Sequence, residues 1–190
     1  MGIQALNRKS ALLCNQDRLI EITISYWDWT LDAPTGKFLE SPLWDPVDGF
    51  GGNGPFVELP RTGGPAGSFP IAGRTGGGCI TDGPFKNMTV RIGPNGDLKG
   101  NPRCLTRDFS PSYAAQNCDK TVLDKVIAQP NYDLMDRTME GAIGFSPPNV
   151  HGGGHFSIGG TLGIMGDFAV SVGGALNGRF IGAKRASNAT

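Results

Sequence analysis

Histidine is the rarest residue in this 190-residue chain: there are two, His151 and His155, so any imidazole chemistry is confined to one short stretch. An excess of charge of one sign is missing too. Seventeen Lys and Arg balance seventeen Asp and Glu, which leaves no electrostatic footprint for a nucleic-acid clamp or a polybasic membrane binder. No apolar run approaches the roughly 18 residues of a membrane span, so neither a nucleic acid nor a membrane is expected as a partner. The first ten residues contain no apolar stretch followed by a small-residue cleavage site, so no secretion leader is expected and the compartment stays open. Gly-x-Ser-x-Gly and Gly-Lys-Ser/Thr are both absent, which excludes a nucleophile elbow and a phosphate loop. The four cysteines, Cys14, Cys79, Cys104 and Cys118, are not in paired CxxC spacing. They allow two disulfides in three connectivities, which the sequence does not rank.

Glycine and proline are abundant: 30 Gly and 14 Pro make nearly a quarter of the chain, about twice average usage. Hydrophobic residues make up 38% and include three Trp and ten Phe, enough for the core of one domain. Residues 4–22 read as a helix, since Ala5, Leu6, Leu12, Leu13, Leu19, Ile20 and Ile22 recur at helical spacing, and 21–25 turn β-like. From 31 to 118 turn pairs crowd the chain, which is expected to be loop, poorly ordered or extended, with Trp44, Phe50, Phe56, Phe69, Phe85 and Phe109 pinning it to a core. One short hairpin is expected there, from Met88–Ile92 through the Asn95-Gly96 turn to a return beginning at Leu98. Two helices follow. Asp119 caps 120–129, with Val122, Val126 and Ile127 on one face; 132–141 carries Leu134, Met135 and Met139 and closes on Gly141.

The chemically loaded stretch is Asn149-Val150-His151-Gly152-Gly153-Gly154-His155. On a helix, His151 and His155 at i and i+4 place both imidazoles within reach of one ion. The zinc-protease pattern needs Glu directly after the first His, and Gly152 stands there. Three glycines cost about 1 kcal/mol each against Ala in a helix, so packing or metal must hold this one from outside. The Gly76-Gly77-Gly78 run reads as a tightly turned loop. Asp28, between two tryptophans, reads as structural rather than catalytic. Arg103 and Arg107 are expected to pair with Asp108 or Asp97. Asn87-Met88-Thr89 and Asn188-Ala189-Thr190 are N-glycosylation triplets of a kind common by chance.

Taken in order, Tyr26-Trp27-Asp28-Trp29, Ser41-Pro42-Leu43-Trp44-Asp45, Gly49-Phe50-Gly51-Gly52-Asn53-Gly54, Gly83-Pro84-Phe85, Asn101–Phe109 and His151–Gly160 resemble the fungal tyrosinase-like family of type-3 copper proteins. The resemblance runs from about Tyr26 to Ser171. It implies a mainly α fold: part of a four-helix-bundle copper domain with long Gly/Pro-rich loops and a short β-hairpin. It also implies oxidation of o-diphenols or related phenols to o-quinones with O2, at two coppers held by three His each. His151 and His155 match the first two ligands of the second copper. The family's other four His have no counterpart in this sequence. The expected organisation is therefore a single truncated domain over 1–190, with divergent ends at 1–25 and 172–190. Gly152 stands where the family's tyrosinases often carry Asn, which favours catechol- or aminophenol-type oxidation over phenol hydroxylation. The alternative is a catalytically inactive fragment with at most a partial copper site. A Gly/Pro-rich module binding carbohydrate through its aromatics has no repeat or strand pattern behind it.

Overall fold

Every α-helix among the described residues begins on a side chain that caps it. In the computed structural model, which describes residues 8–15, 18–34, 36–59, 70–94, 99–141 and 148–166, Ser110 caps α1 (Pro111–Asn117) and Asp119 caps α2 (Lys120–Ile127). Asn131 caps α3 (Tyr132–Glu140) and Asn149 caps α4 (Val150–Gly159). Each accepts an N–H from the first turn, which would otherwise lack a partner. Gly141 (φ 71°) ends α3 and Gly160 (φ 47°) ends α4, both in backbone conformations that a side chain disfavours. Helix α1, which no sequence pattern announced, lies between Pro111 and Cys118 and buries only Ala114 and Asn117.

Two pairs of strands accompany the helices. Residues 4–22, expected as a helix, instead contain β1 (Arg8–Asn15), which runs antiparallel to β2 (Arg18–Ser25) with Leu13 opposite Ile20 and Asn15 opposite Arg18. The helical count had matched the wrong period. Ile20, Ile22 and Ile24 alternate with Glu21, Thr23 and Ser25, and β-branched residues at period two favour a strand. The small hairpin begins as expected, at β3 (Thr89–Val90), which pairs antiparallel with β4 (Arg103–Cys104); the return expected to begin at Leu98 lies outside the described residues. The Asn95-Gly96 turn, Phe69 and the second glycosylation triplet lie outside the described residues. One disulfide, Cys79–Cys104, forms, and because Cys118 is a buried free thiol none of the two-disulfide connectivities is completed.

The 31–118 segment is extended, yet pinned rather than loose. Arg107 donates to the carbonyls of Phe50, Gly51 and Gly52, and Asp82 accepts from the Gly52 N–H at 2.7 Å. Asp108, with no exposed surface, accepts from Arg74 Nε at 2.7 Å and from the N–H groups of Gly76, Thr161 and Leu162. The pairing with Asp108 expected from sequence is thus corrected, and the other expected partner, Asp97, lies outside the described residues. Arg74, not Arg103 or Arg107, partners Asp108, while Arg103 donates to the carbonyls of Ile92, Gly93 and Asn101. Glycines 76–78, expected as a tightly turned loop, instead run beside Phe56, which bridges Gly77 antiparallel, with a bend at Gly78, and Asn53 and Pro55 lie where a Cβ on Gly76 or Gly78 would stand.

Two apolar clusters flank α4. Phe38, Phe109 and Ala114 pack with Trp27, Trp44 and Ile158; Val122, Val126 and Val150 pack with Trp29, Met135 and Met139. Ile127, expected to share the buried face of α2, is 67% exposed because the helix ends there. Of the aromatics expected to pin the loop, Trp44 and Phe109 do so, with centroids 4.5 Å apart. Phe50 and Phe85 stack on each other at the surface instead, and Phe56 is exposed beneath the Arg74 guanidinium. Among the described residues no helix is long and apolar enough to cross a membrane.

Candidate metal centre

Helix α4 has almost no polar side to turn outward, and its neighbours determine its shape. A Cβ at Gly153 would lie 2.6 Å from Cys118 Sγ and 3.0 Å from Cβ of Asn117; one at Gly154 would lie 2.9 Å from Cζ3 of Trp29. The glycines let α1 and the Trp29 indole approach the α4 backbone, and that packing supplies what helix propensity withholds. At one end, the Asn149 N–H donates to Asn117 Oδ1 at 3.2 Å and the Asn149 side chain accepts from Gly152 N–H at 2.7 Å. At the other, the carbonyls of Ser157 and Ile158 accept from Ser110 and Asp108 N–H. Both termini are therefore fixed before any ligand is considered.

On this helix His151 and His155 sit one turn apart, with ring centroids 4.9 Å from each other. His155 Nδ1 lies 2.8 Å from the Met165 carbonyl, which can only accept, so the proton resides on Nδ1 and Nε2 is the basic nitrogen. His151 Nδ1 lies 2.5 Å from Glu140 Oε2, at the end of α3. A carboxylate in that place favours the same tautomer. Burial is the main cause holding His155 below the ordinary imidazole pKa. The Met165 carbonyl opposes the shift, His151 adds to it, and Glu140 opposes it. Its neutral form, the one a metal binds, is favoured.

The two rings open onto a cleft of about 440 Å³ walled by Trp27, Trp29, Met139, Val150, Ile158 and Met165. Helix α4 thus brings both sequence-predicted ligands to one cavity. Asp28 stays out of it, capping a short 3-10 helix through Thr30 N–H and Thr30 Oγ1. The Trp27 indole N–H goes to Asp32 Oδ2 at 2.6 Å. Two functional partners escaped the sequence reading, Glu140 and the Met165 carbonyl. Only the position of Glu140 before the closing Gly141 hinted that it would face the start of α4.

The pair satisfies half of a metal-binding test. Two imidazoles with anchored Nδ1 atoms match how ligating histidines are held, the second nitrogen donating to a carboxylate or carbonyl, and imidazole suits copper and zinc alike. No group of three His, Cys, Asp or Glu able to hold an ion occurs among the described residues.

Comparison with known proteins adds the family context. Residues 4–175 match the model of the common central domain of tyrosinase, a wider span than the motifs at 26–171. A tyrosinase-like protein of Diaporthe leptostromiformis is 39% identical over 107 residues, covering 54% of this chain and 24% of that protein. The N-acetyl-6-hydroxytryptophan oxidase of Emericella nidulans is 32% identical over 168 residues, covering 74% of this chain and 44% of the relative. Among solved structures, a polyphenol oxidase of Thermothelomyces thermophila superposes with TM-score 0.58 at 31% identity, over 81% of this chain and 45% of that one. The chain spans less than half the length of each of these relatives.

Proposed function

The chain belongs to the tyrosinase family, and from that premise we propose that it is the copper-binding centre of an oxidase that converts o-diphenols or related hydroxylated aromatics to o-quinones with O2. Membership implies copper; which residues hold it and what is oxidised belong to the proposal. The observation that carries it is the His151–His155 pair on α4, both Nδ1 atoms held by acceptors and both rings in one apolar cleft.

In this reading His151 and His155 hold one copper through Nε2. Copper, when bound, supplies the electron transfer between the phenol and O2. Each diphenol gives up two electrons and two protons, so two diphenols together reduce one O2 to two waters. The chain's own residues do the rest. Glu140 and the Met165 carbonyl keep the ring protons at Nδ1, so that neutral Nε2 is the donor. The indoles of Trp27 and Trp29, with Ile158 and Met165, offer an aromatic substrate a flat apolar wall and exclude water from the ring face. Gly152, beside His151, presents no polar side chain to a bound phenol, which favours catechol- or aminophenol-type substrates, whose ring already carries two oxygen or nitrogen substituents. The Emericella relative is named for an indole with one ring hydroxyl, which supports hydroxylated aromatics as the substrate class without narrowing it to diphenols.

The donor count favours a second reading alongside it. With two His in the whole sequence and three needed per ion, this chain alone holds copper incompletely and performs no O2 chemistry. Copper titration of the purified chain, followed by dialysis and metal analysis, tests both. We expect at most one weakly held copper per chain, lost in His151→Ala and in His155→Ala, and no catechol turnover. Two retained coppers with turnover would sink the second reading. Copper binding unaffected by either substitution would sink the first.

A further inference from the structure

The metal centre leaves the triplet Asn87-Met88-Thr89 unused, and its placement in the fold gives it a purpose. Residues 84–87 form a turn, closed by Met88 N–H donating to the Phe85 carbonyl at 2.9 Å. Asn87, Met88 and Thr89 are all exposed. An asparagine is glycosylated when its carboxamide and the hydroxyl two residues on are reachable together, as at an exposed turn. Thr89 opens β3 directly opposite Cys104, whose disulfide to Cys79 ties that ladder down. Such a bond persists in an oxidising compartment, the environment in which N-linked sugar is attached. The surroundings match as well. Phe85 is 37% exposed, its stacking partner Phe50 46% and Met88 48%, an apolar patch that a bulky hydrophilic group would screen from water.

From this geometry we infer that Asn87 is an N-glycosylation site, its sugar standing over the Phe50–Phe85 patch. The donor class is an oligosaccharide linked to a lipid pyrophosphate. A bond forms between Asn87 Nδ2 and the anomeric carbon while the bond from that carbon to the pyrophosphate oxygen breaks. The lipid pyrophosphate leaves with the electron pair, Nδ2 releases a proton, and nothing is oxidised or reduced. The inference is independent of the copper reading.

The test is secretion of the full chain from yeast behind a cleavable leader, with an Asn-Gly-Thr acceptor placed between leader and Met1 and an Asn188→Gln background to silence the other triplet. The added acceptor lies outside the fold, so its glycan reports that the chain met the transferase. On molecules carrying that glycan, we expect a second one, mapped to Asn87 by the aspartate that amidase digestion leaves. It should vanish in Asn87→Gln and Thr89→Ala and persist in Thr89→Ser. A glycosylated control acceptor beside an unmodified Asn87 peptide overturns the inference.

Discussion

At His151 and His155 the two ring nitrogens divide their tasks. Nδ1 anchors to Glu140 or to the Met165 carbonyl, and Nε2 is left as the basic atom. Anchors of this kind tune affinity without touching the ion. We therefore expect Glu140→Gln to weaken copper binding by about 10–100-fold, measured by titration against a chelator, while far-UV circular dichroism stays unchanged. His151→Ala should lose binding outright, which separates an anchor from a ligand. The histidines were legible in the sequence because i, i+4 spacing carries its own geometry. Glu140 was not, since its meeting with His151 depends on how α3 turns into α4 through residues that share no periodic pattern with either helix.

At the scale of elements, α4 is held by neighbours and α2 by its cap, and the two should fail differently. Gly153→Ala forces a methyl against Cys118 Sγ and the Asn117 backbone, and overpacking of this kind costs about 1–3 kcal/mol. Urea denaturation should show that loss, partly restored by adding Cys118→Ala, which removes the nearest atom. That pocket also pushes the Cys118 thiol up to about 12, mainly by burial, so the thiol packs as a neutral group. At α2, the Thr121 hydroxyl above all holds the Asp119 carboxyl below its ordinary pKa of 3.8; burial opposes it, and the Val122 and Thr121 N–H groups and Lys125 lower it further. Because the folded value is the lower one, the ionised cap stabilises above pH 3.8 and that contribution fades as pH falls through the folded pKa. Asp119→Asn caps without titrating. Its melting-temperature difference from the parent chain should therefore shrink between pH 5 and pH 2, while Asp119→Ala should cost about 1 kcal/mol near neutrality. Helices α2 and α3 were readable because capping residues act within one turn and an apolar face follows the cap, whereas α1, capped by Ser110, has no such face to announce it. The strands at 8–25 were misread because a loose apolar count fits either period until pairing decides.

At the scale of the molecule, Asp108 joins parts that the sequence keeps far apart: Arg74 and Gly76 from the loop, Thr161 and Leu162 from beyond α4. Asp108→Ala would strand the Arg74 charge, whose side chain is 8% exposed, together with three backbone N–H groups. A loss of about 3–5 kcal/mol is expected, with hydrogen exchange rising first at residues 74–77 and 161–162. The sequence by itself determined the family, helices α2 and α3 and the His151–His155 pair, because each is written in residues close together, where spacing alone sets geometry. The tertiary structure decided that Arg74 rather than Arg107 meets Asp108, that Cys79 bonds Cys104, and that Glu140 reaches His151. Those contacts pair groups brought together by the path of long Gly/Pro-rich loops, and many alternative partners at similar separation are chemically equivalent until packing chooses one. The two histidines were visible from the start; what holds their Nδ1 atoms, and so leaves Nε2 as the basic atom of each, is a property of the fold.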